Sequence, residues 1–164
     1  MGAGKVFAFL GGLLTLVGTF VFAVYGSTGF VGSGLGFAMN IPDLFTDADL
    51  FAVAIDIPVA LFYVYLILFI IFLASGVLQM LSVQSRAVGL IFSLFPLAVG
   101  LLFILLVYTN ILGITSAFFA IFFIGEQYGD FYPILVNIGD LALGVYFLLA
   151  GGVLGILSVF MERD

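Results

Sequence analysis

The chain is 164 residues long, 65% hydrophobic and only 7% charged, with a mean hydropathy of +1.46, whereas soluble domains carry roughly a quarter charged residues. It contains no His, Cys or Trp, which excludes imidazole catalysis, thiolate nucleophiles, disulfides, and zinc or haem held by Cys or His. The net charge is −6 with only three basic residues, too few for a phosphate-binding face, so the sequence predicts a membrane protein with no nucleic-acid partner.

Four apolar stretches are each long enough to cross the ~30 Å hydrocarbon core of a bilayer as a helix. They are residues 6–25, 59–81, 87–108 and 134–160. The sequence therefore predicts an all-α integral membrane fold, a four-transmembrane-helix bundle that forms a single domain over residues 1–164. A polar turn at 82–86 joins the second and third helices as an antiparallel hairpin. Two extracellular segments, 26–57 and 109–133, complete the prediction.

The first span carries small residues on one helical face. They are Gly4, Ala8, Gly11, Thr15 and Gly18, at the spacing that lets a neighbouring helix approach closely. The last span has its own set of glycines, Gly144, Gly151 and Gly155, on one face. We predict that these two small-residue faces pack against each other.

The first outer segment changes character along its length. Its first half contains glycines at 26, 29, 32, 34 and 36, which favour a loop or a short irregular strand. Its second half predicts a short amphipathic helix on the membrane surface, with Pro42 in the first turn and Thr46 and Asp49 as a capping box. The apolar face comprises Leu44, Phe45, Ala48, Phe51, Ala52 and Ile55, opposite Asp43, Asp47 and Asp49.

Residues 111–125 are almost wholly apolar but, at about 22 Å as a helix, short for a full crossing. Three interpretations remain open for this stretch. It forms an interfacial or bundle-capping helix, it continues the third helix beyond the membrane, or it is a re-entrant segment.

The last span contains the one acidic residue predicted to lie within the bilayer, Asp140. Helical geometry places Asn137 and Asp140 on the same stripe as the glycines. A carboxyl group that faces lipid raises the free energy of the inserted helix by on the order of 2.5–3.5 kcal/mol. The stripe is therefore predicted to face protein or water. By depth, Thr19 and Tyr65 could reach Asp140, which defines a candidate intramembrane polar site. It is either a structural hydrogen-bond node or an ion or proton site.

Charge separates the two sides of the predicted bundle. The basic residues Lys5, Arg86 and Arg163 fall on one side, and by the positive-inside rule both termini are cytoplasmic, in a multi-pass protein of the cell membrane. The acids Asp43, Asp47, Asp49, Asp56, Glu126 and Asp130 fall on the other side. They form either a solvated acidic face or a cation-attracting group, although their spacing matches no EF-hand loop. An aromatic belt is predicted at the same boundary, comprising Tyr25, Tyr63, Tyr65, Tyr108, Tyr128 and Tyr132.

The arrangement of four spans with a larger first and a smaller second outer segment resembles that of claudins and tetraspanins. Gly34-Leu35-Gly36 stands where claudins carry a Gly-Leu-Trp signature. The tryptophans and cysteines of these families are absent, so no residue role is transferred from them.

These observations predict a non-enzymatic protein without a cofactor or metal, surrounded by membrane lipids. We expect it to form a homo-oligomer or to bind a membrane-protein partner as a scaffold subunit, through its outer segments and small-residue helix faces. The alternative is a cation or proton channel or transporter subunit in which Asp140 lines the pathway.

Overall fold

The computed structural model describes residues 2–27, 30–113 and 122–162. In chain order its elements are α1 (Ala3–Leu16), β1 (Tyr25–Ser27), β2 (Phe30–Gly32), α2 (Gly34–Thr46), α3 (Ala48–Ala54), α4 (Val59–Leu81), α5 (Arg86–Tyr108), β3 (Ile124–Gly125), β4 (Asn137–Ile138), β5 (Leu141–Ala142) and α6 (Leu143–Phe160). A π-helical turn, Val17–Val21, extends α1, and a 3₁₀ turn, Ser82–Gln84, leads from α4 to α5. The helical bundle with four helices that are long and apolar enough to span a membrane is confirmed.

The glycine faces bring α1 and α6 into backbone contact. A Cβ built on Gly11 would lie 2.8 Å from the carbonyl oxygen of Gly151, and one built on Gly18 would lie 2.9 Å from the carbonyl oxygen of Gly144. Such distances leave no room for a side chain at these positions. The predicted pairing of the first and last helices is therefore confirmed.

One end of the bundle, which we call the terminal end, holds both chain termini and the α4–α5 turn. The backbone N–H of Gly4 donates to the carbonyl of Glu162 at 2.7 Å, and Nη2 of Arg86 donates to the carbonyl of Met161 at 3.4 Å. Lys5 and Arg86 thus share the terminal end, as predicted, while Arg163 lies outside the described residues.

At the opposite end, the segment between α1 and α4 folds into what we call the cap, comprising β1, β2, α2 and α3 together with residues 122–125. Antiparallel pairing joins β1 to β2 and β2 to β3, so that Val31 faces Gly125 across the sheet. The sheet links the two long segments that the sequence analysis treated separately. The glycine-rich first half forms strands as expected, but only as far as Gly32.

The prediction that Gly34 and Gly36 lie in a loop or a short irregular strand is wrong, because α2 begins at Gly34. Ser33 caps this helix, its hydroxyl accepting a hydrogen bond from the Gly36 N–H at 3.0 Å. A Cβ on Gly36 would overlap the carbonyl of Phe123, so close packing against the second long segment requires glycine here. Helix propensity disfavours glycine, and this tertiary contact overrides it.

The predicted boundaries within α2 and α3 also need correction. Pro42 lies inside α2, not in a first turn. The predicted capping box does not form, because the Thr46 hydroxyl donates back to the Pro42 carbonyl at 3.0 Å and Asp47 occupies the N-cap of α3. The amphipathic pattern is observed for Leu44, Ala48, Ala52 and Ile55, which are buried, and for Asp43, Asp47 and Asp49, which are exposed. Of the other two predicted members of the apolar face, Phe51 is half-buried, but Phe45 is exposed, so its assignment to that face is wrong. The apolar face contacts protein, including α4, whereas we predicted a membrane surface.

Phenylalanine rings form the core that joins the cap to the bundle. Phe37 of α2, together with Phe122 and Phe123, packs on Phe69 of α4, with ring centroids 5.5–5.8 Å apart. Phe123 also meets Phe103 of α5 edge to face at 5.2 Å. The cap and the bundle therefore share one continuous hydrophobic core. Burial raises the pKa of the neighbouring Tyr25 phenol, which keeps it neutral.

The predicted last span, 134–160, is wrong at its start, because α6 begins only at Leu143. Ile134 is extended and pairs with the chain leaving α1, since its N–H donates to Val21 and its carbonyl accepts from Ala23. Residues 137–142 then form the β4–β5 hairpin, in which Gly139 has a φ of +67° at the turn. The first span likewise ends at Val21, four residues earlier than predicted, because Phe22 and Ala23 pair with Ile134 and the Val24 N–H donates to the Gly32 carbonyl.

Most of the 111–125 stretch, residues 114–121, lies outside the described residues. Helix α5 ends at Tyr108 and Thr109 is extended, so the interpretation that the third helix continues is wrong. Phe122 and Phe123 are fully buried in the core at the cap end, which favours the bundle-capping interpretation for the described part.

Candidate functional site

The predicted intramembrane acid does not lie in a membrane-spanning helix. Asp140 is exposed in the turn of the β4–β5 hairpin, and Asn137 is exposed on β4. The hairpin is held to α6 by the Tyr146 hydroxyl, which donates to the Ile138 carbonyl at 3.0 Å. Because α6 begins only after Asp140, the single helical stripe that was predicted to hold Asn137, Asp140 and the glycines does not form.

The other two residues of the predicted site lie elsewhere. Thr19 is buried in the π-helical turn, where its hydroxyl donates to the Thr15 carbonyl at 2.7 Å. Tyr65 lines a groove between α4 and α5. The four residues thus lie on the β4–β5 hairpin, the π-helical turn and α4, whereas the channel alternative required Asp140 inside the last helix.

A different polar site is buried in the bundle, centred on Gln79 of α4. Its Oε1 accepts a hydrogen bond from the Thr15 hydroxyl of α1 at 3.0 Å, and its Nε2 donates to the Gly151 carbonyl of α6 at 2.8 Å. The single Thr15 hydroxyl hydrogen is shared between Oε1 of Gln79 and the Gly11 carbonyl oxygen, which lies 2.9 Å away. Gln79 and Thr15 are fully buried, so the side chain of one helix joins two others in an apolar surrounding. We call this group the Gln79 node.

Two further residues complete the Gln79 node. A Cβ on Gly155 would overlap Nε2 of Gln79 and Oγ of Ser93 on α5, so the glycine makes room for both polar groups. The Ser93 hydroxyl donates to the Gly89 carbonyl at 2.5 Å. All four long helices thus meet at this depth, and no buried side-chain nitrogen or oxygen among the described residues lacks a hydrogen-bond partner. Such a hydrogen-bonded group stabilises a bundle.

Gln79 was not predicted as a site residue, although its position in the sequence indicates one. It is the only Asn or Gln within α1, α4, α5 and α6. An amide inside a long apolar helix is costly unless it is hydrogen-bonded, so its position alone indicates a partner on another helix.

The predicted helix-packing residues lie together in the interface of α1 and α6. Gly4, Ala8, Gly11 and Gly18 of the first helix and Gly144, Gly151 and Gly155 of the last are all buried. These faces are occupied within one chain. The glycine faces of α1 and α6 are therefore in close contact with each other.

The predicted outer acids are all exposed and lie in the segments at the cap end. These residues are Asp43, Asp47, Asp49, Asp56, Glu126 and Asp130. Across residues 2–27, 30–113 and 122–162, no three carboxylates come together in a group that could hold a metal ion.

The architecture is that of a multi-pass membrane protein, with four apolar helices in one bundle and a mixed helix-and-strand cap at one end. Comparison of the chain with known protein families, curated proteins and solved structures finds no match.

Proposed function

We propose that the chain is a non-enzymatic structural protein of the cell membrane that associates with a second copy of itself through its cap. The observation that carries the proposal is the exposure of Leu50 and Val53 on α3, at 71% and 77%. Because the small-residue faces are already packed inside the bundle, association requires another surface. The proposal assigns the chain no reaction and no cofactor.

Leu50 and Val53 lie about 60° apart on α3, on the side away from the buried Ala48 and Ala52. Asp49 lies beside them on the same exposed side. An apolar pair with a charged rim is the usual composition of an association surface, in which burial of apolar area supplies the free energy.

The cap contains acids but no basic residue, since Lys5 and Arg86 lie at the terminal end and Arg163 follows α6. Two caps therefore repel each other through their charges while their apolar residues attract. We expect association to strengthen as salt screens this repulsion, for example when the Debye length falls from about 30 Å at 0.01 M to about 10 Å at 0.1 M.

The association experiment uses native mass measurement of the purified chain in mild detergent at both salt concentrations. We expect a dimer or larger oligomer at the higher salt, and a loss of at least tenfold in association constant for Leu50→Gln combined with Val53→Thr. Leu81→Gln is the matched control, because Leu81 is 69% exposed but lies at the terminal end. A wild-type monomer at both salts, or equal association of the two variants, would contradict the proposal.

We also propose that the cap lies outside the cell and that both termini lie in the cytoplasm. The support is the positive-inside rule, because Lys5 and Arg86 share the end that is opposite the acidic cap. The chain has no cysteine, so the reaction of a single introduced thiol shows on which side of the membrane that residue lies. We expect Asp47→Cys to react with a membrane-impermeant maleimide on intact cells, and Gln84→Cys to react only after permeabilisation. The opposite labelling pattern would overturn the orientation.

A further inference from the structure

A groove of about 410 Å³ runs between α4 and α5 on the side of the bundle. Along α4 it extends from Tyr65 to Phe72, and along α5 from Ile91 to Leu102. With a rise of 1.5 Å per residue, these intervals correspond to roughly 10 Å and 16 Å along the helix axes. The groove therefore covers about half of the ~30 Å thickness of a hydrocarbon core.

The groove is too small to take in the full cross-section of a transmembrane helix. A helix has a diameter of roughly 10–12 Å, so 16 Å of its length occupies on the order of 1,200 Å³, about three times the groove volume. A methylene group is about the size of a water molecule, ~30 Å³, so the groove holds on the order of a dozen of them. This is one hydrocarbon chain of a single leaflet.

The lining matches such a chain chemically. Every side chain that lines the groove is a hydrocarbon except Tyr65, which lies towards the cap end. Tyrosine at that position is typical of the level where lipid headgroups begin. We propose that the groove binds one hydrocarbon chain of a membrane lipid, with its polar head at the Tyr65 end and its methyl end towards Phe72 and Ile91.

The groove shares two walls with the core of the cap. Phe69 lines the groove and also packs on Phe37, at a centroid distance of 5.7 Å, and Phe72 lines the groove and packs on Phe123 at 6.2 Å. Phe69 is 7% exposed and Phe72 is fully buried, so a bound chain adds dispersion contacts mainly at Phe69. Through Phe69 it supports the contact between the cap and α4.

The test uses the full chain in nanodiscs of phosphatidylcholine that includes a phosphatidylcholine with a diazirine in one acyl chain. After photolysis, peptide mapping locates the adducts. We expect at least threefold more adduct on groove residues such as Leu68 and Leu94 than on the lipid-facing Phe9 of α1 and Val153 of α6. The exposure of these four side chains is similar, at 42–49%. Adducts distributed evenly over all four helices would overturn the proposal.

The second arm of the test uses a variant in which a larger side chain fills the groove. Ala98 lines the groove, whereas Ala74 is exposed on α4 outside it. We expect Ala98→Phe to reduce the groove adducts at least fivefold and Ala74→Phe to leave them unchanged. Equal adduct yields in the two variants would also overturn the proposal. If the Ala98→Phe variant does not fold, the distribution of adducts on the wild-type chain is sufficient to support or overturn the proposal. The result is independent of cap association, because Leu50 and Val53 lie outside the groove.

Discussion

Replacement of Gly151 by alanine is expected to lower the free energy of unfolding by about 2–3 kcal/mol. The added Cβ would lie 2.8 Å from the Gly11 carbonyl oxygen and 2.9 Å from the Thr15 backbone nitrogen. Both are main-chain atoms of α1, so relief requires the two helices to separate, and overpacking of this kind typically costs 1–3 kcal/mol. In a helix without such a contact, the same substitution would stabilise by about 1 kcal/mol, since alanine has the higher helix propensity.

The measurement is an SDS titration in mixed micelles followed by circular dichroism. Val153→Ile is the matched control, because it also adds one methyl group to α6 but at a residue that is 46% exposed. We expect this control to change the free energy of unfolding by less than about 0.5 kcal/mol. A Gly151→Ala variant as stable as the wild type would contradict the close contact between α1 and α6.

Replacement of Gln79 by methionine is expected to lower the free energy of unfolding by about 1–2 kcal/mol. Methionine keeps the length of the side chain but removes the hydrogen bonds to Thr15 and to the Gly151 carbonyl. Hydrogen bonds between membrane helices average about 0.6 kcal/mol and reach about 1.7, so the loss of two accounts for this range.

A double-mutant cycle isolates the contribution of the node. We expect Gln79→Met and Thr15→Val to show a coupling energy above about 0.5 kcal/mol, because each removes a partner of the other. Gln84→Met serves as the control, since Gln84 is exposed in the 3₁₀ turn. Additive effects, or a Gln79→Met variant with unchanged stability, would show that the node does not link the helices.

The extent of agreement between sequence and structure differs from element to element. Hydropathy and helical periodicity alone predicted the four long helices, the pairing of the Gly11 and Gly151 faces, and the burial of Leu44 and Ala52 opposite exposed acids. These features depend on residues that are close in sequence or on properties that are summed over a span. The start of α6 was missed because residues 134–142 are apolar enough for a helix, and hydropathy does not report which backbone groups pair.

The amino-acid sequence by itself determined the membrane class, the four apolar helices, the small-residue faces and the separation of basic from acidic ends, because each of these follows from composition or local spacing. Only the tertiary structure decided that Asp140 lies on an exposed hairpin, that Gly34 begins a helix and that Gln79 joins α1 to α6. The physical reason is that these three outcomes depend on partners far along the chain. Ile134 pairs with Val21 and Ala23, Gly36 packs on Phe123, and Gln79 bonds to Thr15 and Gly151, contacts that no local pattern encodes.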